Sequence, residues 1–219
     1  MRPRNLPRRA LLALGIAAAA GSLASPARAY GLDDVSRLVP HSRIVYCPRL
    51  DFVSYWGTHV RYSKRAEVYA EFRQRLERFE RLAVSVGEEF YGRGPATLFH
   101  IGTRVCRRRR NQREYFSEHA FGNAIDFVGF DFARLEMGGK LPEGTHEAFR
   151  KYFSVRVGRD WRPQPGIASI HSRFLRTLMR RLVARQDIFR SILGASHPGH
   201  RYHFHFDCGL DREIDVFGE

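Results

Sequence analysis

Two runs of this 219-residue chain hold side chains that could do chemistry, and the denser is His197-Pro-Gly-His200-Arg-Tyr-His203-Phe-His205-Phe-Asp207. Four of the chain's ten histidines fall there. In an extended strand alternate side chains share a face, so His203 and His205 point one way while Phe204 and Phe206 point the other, into a core. An H-x-H pair backed by buried aromatics is a stiff platform for a metal. The second run is Ser117-Glu118-His119-Ala120-Phe121-Gly122-Asn123-Ala124-Ile125-Asp126. Gly122 permits a tight turn that folds His119 back toward the Asp126 carboxylate, and imidazole and carboxylate are ordinary zinc ligands, at about 2.0–2.2 Å each. A histidine and an aspartate at that spacing are common on surfaces. A His-rich run can also be a polar strand face or a metal-sequestering tract. Each run, however, supplies what the other lacks. Three ligands drawn from the two leave a fourth position open, the arrangement of a catalytic zinc, whose bound water has its pKa lowered to about 7. The remaining histidine can then accept a proton or steady an oxyanion.

These side chains need elements to hold them. Apolar residues at Val68, Phe72, Leu76, Phe79, Ala83, Val86 and Phe90 recur in steps of three and four, which predicts a long amphipathic helix over 63–91, ended by Gly92 and Gly94-Pro95. Residues 96–106 read as a strand running into the arginine cluster, 124–132 as a second strand, 167–193 as a second long helix and 201–207 as a last short strand. Long helices segregated from short strands argue for an α+β fold, with a small antiparallel sheet flanked by the helices. No internal repeat or low-complexity linker divides residues 30–219, which read as one domain.

Residues 1–29 read as an export signal: Arg2, Arg4, Arg8 and Arg9, an apolar stretch from Ala10 to Ala20, then Ala27-Arg28-Ala29. Arg8-Arg9 also admits a twin-arginine route. The rest has no apolar run long enough to span a membrane, so the expected compartment is periplasmic. There, two of Cys47, Cys106 and Cys208 can form one bridge, with the pair left open, and the lack of a C-x-x-C spacing argues against a zinc ribbon. Thirty-seven Lys plus Arg against 23 acids give a net charge of +14, and Arg107-Arg108-Arg109-Arg110 concentrates part of it. In an exported protein this charge argues for an anionic wall polymer or envelope surface as partner, and against nucleic acid.

The segments SEHAFGNAIDFVGF and HRYHFHFD resemble the bacterial extensin-like C-terminal domain family. That family is similar to D-Ala-D-Ala carboxypeptidases and penicillin-insensitive murein endopeptidases, of the lysostaphin and hedgehog type of fold. Ser117, His119, Gly122, Ala124 and Asp126 carry its S-x-H-x-x-G-x-A-x-D pattern, and the resemblance runs over about 104–207. It implies that His119, Asp126 and His205 bind Zn2+, that His203 is the base or transition-state stabiliser, and that His200 belongs to the endopeptidase branch. Carboxypeptidase relatives place a glutamate where this chain has Tyr202. Either His203 is then the general base, as in an endopeptidase, or the carboxypeptidase reaction is absent, a departure that also leans toward a non-catalytic protein. An arginine upstream of the first zinc histidine would stabilise the oxyanion; Arg107 is the choice and Arg104 the second. Ser117 would support the site from behind, and Trp161 reads as packing. The expectation is a zinc peptidase acting on peptidoglycan peptides. The rival from a different class is a non-catalytic wall-binding protein that retains a structural zinc site.

Overall fold

The computed structural model describes Leu32 and residues 35–40, 45–162 and 165–217; the predicted export signal lies outside the described residues. Helix α1 spans Ala70–Tyr91 and buries Phe72, Leu76, Phe79, Ala83 and Val86, the stripe that the spacing predicts. Gly92 ends it in the left-handed conformation, φ 67°. The helix begins later than its periodicity suggests. Ala66–Tyr69 instead forms strand β3, paired antiparallel with β1 at Phe52–Tyr55, so Val68 is buried from a strand. Tertiary pairing here overrides a pattern compatible with either structure.

The main sheet adds β2 (Arg61–Tyr62), β4 (Thr97–Gly102), β5 (Ala124–Phe132), β6 (Phe153–Arg156), β7 (Ser191–Leu193), β8 (Phe204–Asp207) and β9 (Ile214–Asp215). Its order is β2-β4-β5-β8-β7-β9, with β6 paired beside β8 along β5. The fold is α+β, but the sheet is mixed rather than antiparallel. The central pairs are antiparallel, while β2–β4 and β7–β9 run parallel. Parallel neighbours need a long crossover, and α1 supplies it between β2 and β4.

The helices cover one face of the sheet. A register shift opposite Phe99 and His100 adds one residue to β5, a bulge. It brings Phe127 and Phe130, three apart, onto the same helix-facing side. Phe79 of α1 meets Phe127, Phe130, Phe189 and Phe206 at ring distances of 5.7, 6.3, 5.6 and 5.4 Å. The remaining helices are the short α2 (Val157–Asp160) and α3 (Ser169–Val183), whose Phe174 packs on Phe130 and Phe132. Thus α3 stops short of the predicted 193. Arg185 and Asp187 pair at 2.7 Å in the turn that follows, Phe189 enters the core from that turn, and 191–193 becomes β7. Glu80 of α1 is fully buried; Tyr55 Oη donates to it at 2.6 Å and the His59 and Thr58 amides at 2.7 and 2.9 Å. Among the described residues no helix is long and apolar enough to cross a membrane.

Candidate metal centre

The sheet face away from the helices carries the chemistry. Asp126 on β5 and His205 on β8 are direct partners in the strand pairing, and Gly102 of β4 flanks Asp126 on its other side. His119 arrives on a 3-10 turn, Glu118–Phe121, closed by Gly122 at φ 60°, whose amide donates to the Glu118 and His119 carbonyls. A Cβ at Gly122 would press on the Tyr69 amide and the Phe52 ring, so glycine is required by conformation and by space. The turn is braced from below. Glu118 is buried, accepts from Asn123 Nδ2 at 2.7 Å, and pairs with buried Arg37 at 3.3 Å.

His119 Nε2, Asp126 Oδ1 and His205 Nδ1 converge, with separations of 3.1, 3.2 and 3.0 Å. Ligands about 2.0–2.2 Å from one tetrahedral zinc stand about 3.3–3.6 Å apart, so the cluster needs to open by only a few tenths of an ångström to admit an ion. Both imidazoles are also oriented from behind. His119 Nδ1 lies 3.1 Å from the Thr103 carbonyl, and His205 Nε2 lies 2.9 Å from Asp207 Oδ2. Each of those groups accepts an N–H, which leaves the opposite ring nitrogen to face the cluster. Among the described residues, His119, Asp126 and His205 are the one group of such side chains placed to share an ion. The arrangement is compatible with a metal, and two imidazoles with one carboxylate are a donor set suited to zinc.

Without an ion, protons on the ring nitrogens hold the cluster together, and an ion would displace them. Burial favours the neutral form of Asp126, but hydrogen bonds from His119 and His205 outweigh it and hold the carboxyl far below its ordinary range. Burial opposes the charged form of His205, yet the bonds to Asp126 and Asp207 push it up to about 9. His203 Nε2 stands 3.7 Å from Asp126 Oδ1, and burial is the largest of the effects that hold its pKa below the usual imidazole range. The His200 ring lies 4.9 Å from that of His203, and burial followed by the His203 charge brings it down to about 4.

The other residues singled out by sequence separate into neighbours of the cluster and residues engaged elsewhere. The Val105 amide donates to the His119 carbonyl at 3.1 Å and the Ser117 amide to the Arg107 carbonyl at 3.0 Å, which laces the Arg107 segment onto the His119 turn. Arg107 bears on His203 electrostatically, and its buried Nε has no hydrogen-bond partner among the described residues. Arg104 is occupied, 3.0 Å from Glu67 and 4.0 Å above the Phe52 ring. Arg109 reaches Gln112 and Asp211, and Arg108 donates to the Arg113 carbonyl at 3.2 Å. His197 is held by Asp215 at 2.8 Å. Ser117 makes no side-chain cap bond to the turn, and Trp161 is buried against Phe204. The disulfide joins Cys47 to Cys106, directly before Arg107, while burial pushes the Cys208 thiol up to about 12.

Sequence reasoning missed Asp207, Thr103, Asn123 and the Arg37–Glu118 pair. The first had a signal: along the predicted strand 201–207, which in the structure begins only at Phe204, His203, His205 and Asp207 alternate on one face. The pair, 81 residues apart, had none. Neither a curated protein nor a solved structure matches the chain. The model of the family described as extensin-like protein C-terminus matches residues 34–216, and the chain belongs to that family.

Proposed function

We propose that this protein is an exported zinc metallopeptidase that hydrolyses amide bonds in peptidoglycan stem or cross-link peptides, as an endopeptidase rather than a carboxypeptidase. The observation that carries the proposal is the convergence of His119 Nε2, Asp126 Oδ1 and His205 Nδ1 within 3.2 Å, with both imidazoles oriented from behind. These three residues would hold the metal, which when bound supplies Lewis acidity and a water of lowered pKa.

The chain's own residues account for the remaining roles. His203, at the rim beside Asp126, takes up and returns the proton. His200 packs against His203 and limits its motion. Arg107 offers a guanidinium to the negative charge that develops on an amide oxygen. Tyr202 stands exposed where carboxypeptidase relatives carry a glutamate, so the proton-handling group is histidine. The Cys47–Cys106 bridge supports an oxidising compartment, in agreement with the signal-like segment at 1–29.

The test is mass spectrometry of intact sacculi incubated with the chain lacking residues 1–29, with and without a zinc chelator. New peptide termini that disappear with chelator support the proposal and identify the bond. Zinc-loaded protein that sediments with sacculi but yields no products establishes the wall-binding alternative, in which the metal is structural.

A further inference from the structure

Asp207 closes β8 two residues beyond His205 and on the same face of the sheet. Its Oδ2 accepts the His205 Nε2–H at 2.9 Å, and its Oδ1 accepts the Gly209 amide at 2.8 Å. The carboxylate is a built feature and not a surface acid. Its side chain is 13% exposed, and its backbone is fixed from both sides, opposite Ala124 of β5 and Ser191 of β7. The Arg190 amide donates to its carbonyl at 2.9 Å. Even Gly209 belongs to the cradle, since a Cβ there would press on Asp207 Oδ1 and the Glu118 side chain at 3.2 and 3.1 Å.

We infer that Asp207 is the positioning residue of the metal centre: it selects Nδ1 of His205 as the donor atom and strengthens that donor. The inference rests on the metal-centre reading above. A neutral imidazole carries one N–H and one lone pair, and whichever nitrogen finds an acceptor keeps the proton. Asp207 holds the Nε2 proton, so an ion that displaces the proton between Nδ1 and Asp126 meets the lone pair on Nδ1, which faces Asp126 and His119. The negative charge behind the ring raises the basicity of Nδ1. It also gives the buried centre a second carboxylate beside Asp126, so that a dication there is balanced. The Thr103 carbonyl orients His119 in the same manner but without a charge, which makes Asp207 the more influential of the two supports.

Zinc affinity measured by competition with a chromophoric chelator, on the full chain and on Asp207→Ala and Asp207→Asn, tests this. The expected loss is about 10- to 100-fold for Asp207→Ala. A smaller loss, about tenfold, is expected for Asp207→Asn, which keeps an acceptor of the same shape but not the charge. Long-range proton–nitrogen NMR of the zinc-loaded proteins adds a direct readout, a single Nε2–H tautomer for His205 in wild type that Asp207→Ala loses. A merely structural role would lower the unfolding midpoint of the metal-free protein and leave the affinity of the folded protein unchanged. Either variant, folded and holding zinc within about twofold of wild type, overturns the inference. If Asp207→Ala does not fold, the isosteric Asp207→Asn decides. Wild-type protein that takes up no zinc overturns the metal-centre reading itself, a distinct result.

Discussion

Asp126 and His205 oppose each other directly across β5 and β8, with Oδ1 and Nδ1 3.0 Å apart. Two of the three converging side chains are therefore placed by strand register. A one-residue slip would turn His205 toward the helices and bring Phe204 or Phe206 out. The aromatic core resists that slip, because both rings are fully buried. The packing behind the sheet thus maintains the geometry in front of it.

Removing a converging side chain should weaken metal binding severely. Asp126→Ala and His205→Ala are each expected to lower zinc affinity by more than about a hundredfold, beyond the effect of losing an outer support. Equilibrium dialysis with elemental analysis reads this directly. Undiminished zinc in Asp126→Ala would instead favour sequestration by the 197–205 histidine run.

His203→Ala should separate binding from turnover. Because His203 stands 3.7 Å from Asp126 and outside the converging triad, zinc content should be retained. Release of peptides from sacculi should fall by about 10²- to 10⁴-fold, the usual contribution of a proton-transfer group. Turnover equal to wild type would remove His203 from that role.

Phe79→Ala should cost about 3–5 kcal/mol of stability, since the side chain is fully buried among four other phenylalanines. Urea unfolding followed by fluorescence measures it. A loss under about 1 kcal/mol would mean that the site collapses around the missing ring.

The Cys47–Cys106 bridge closes a loop with a sequence separation of 59. In the chain-entropy account, replacing both cysteines by serine should cost about 4 kcal/mol. Comparing unfolding midpoints with and without reductant checks the figure. Cys208, half-buried and with its thiol pushed up to about 12, should resist alkylation in the native protein.

Arg37 and Glu118 have side-chain exposures of only 5% and 2%, so removing one partner strands a buried charge. Arg37→Met is expected to cost about 3–5 kcal/mol, and adding Glu118→Gln should recover part of the loss. A double-mutant cycle on thermal unfolding determines whether the two changes are coupled.

Local pattern sufficed wherever one side of an element had to be apolar. The helical stripe from Phe72 to Val86, the strand over 124–132, the division of His203 and His205 from Phe204 and Phe206, and the need for Gly122 beside His119 were all legible in the sequence. These follow from periods of 3.6 and 2 and from one residue's conformational range, which nearby residues alone determine. Pairings between distant segments required the tertiary structure. It decided which cysteines join, that Asp126 faces His205, that β2 and β9 lie parallel to their neighbours, that Ser191–Leu193 leaves the predicted helix for the sheet, and that Arg37 reaches Glu118. The physical reason is that a register or a buried ion pair depends on how the whole core closes, and no short window of residues contains that closure.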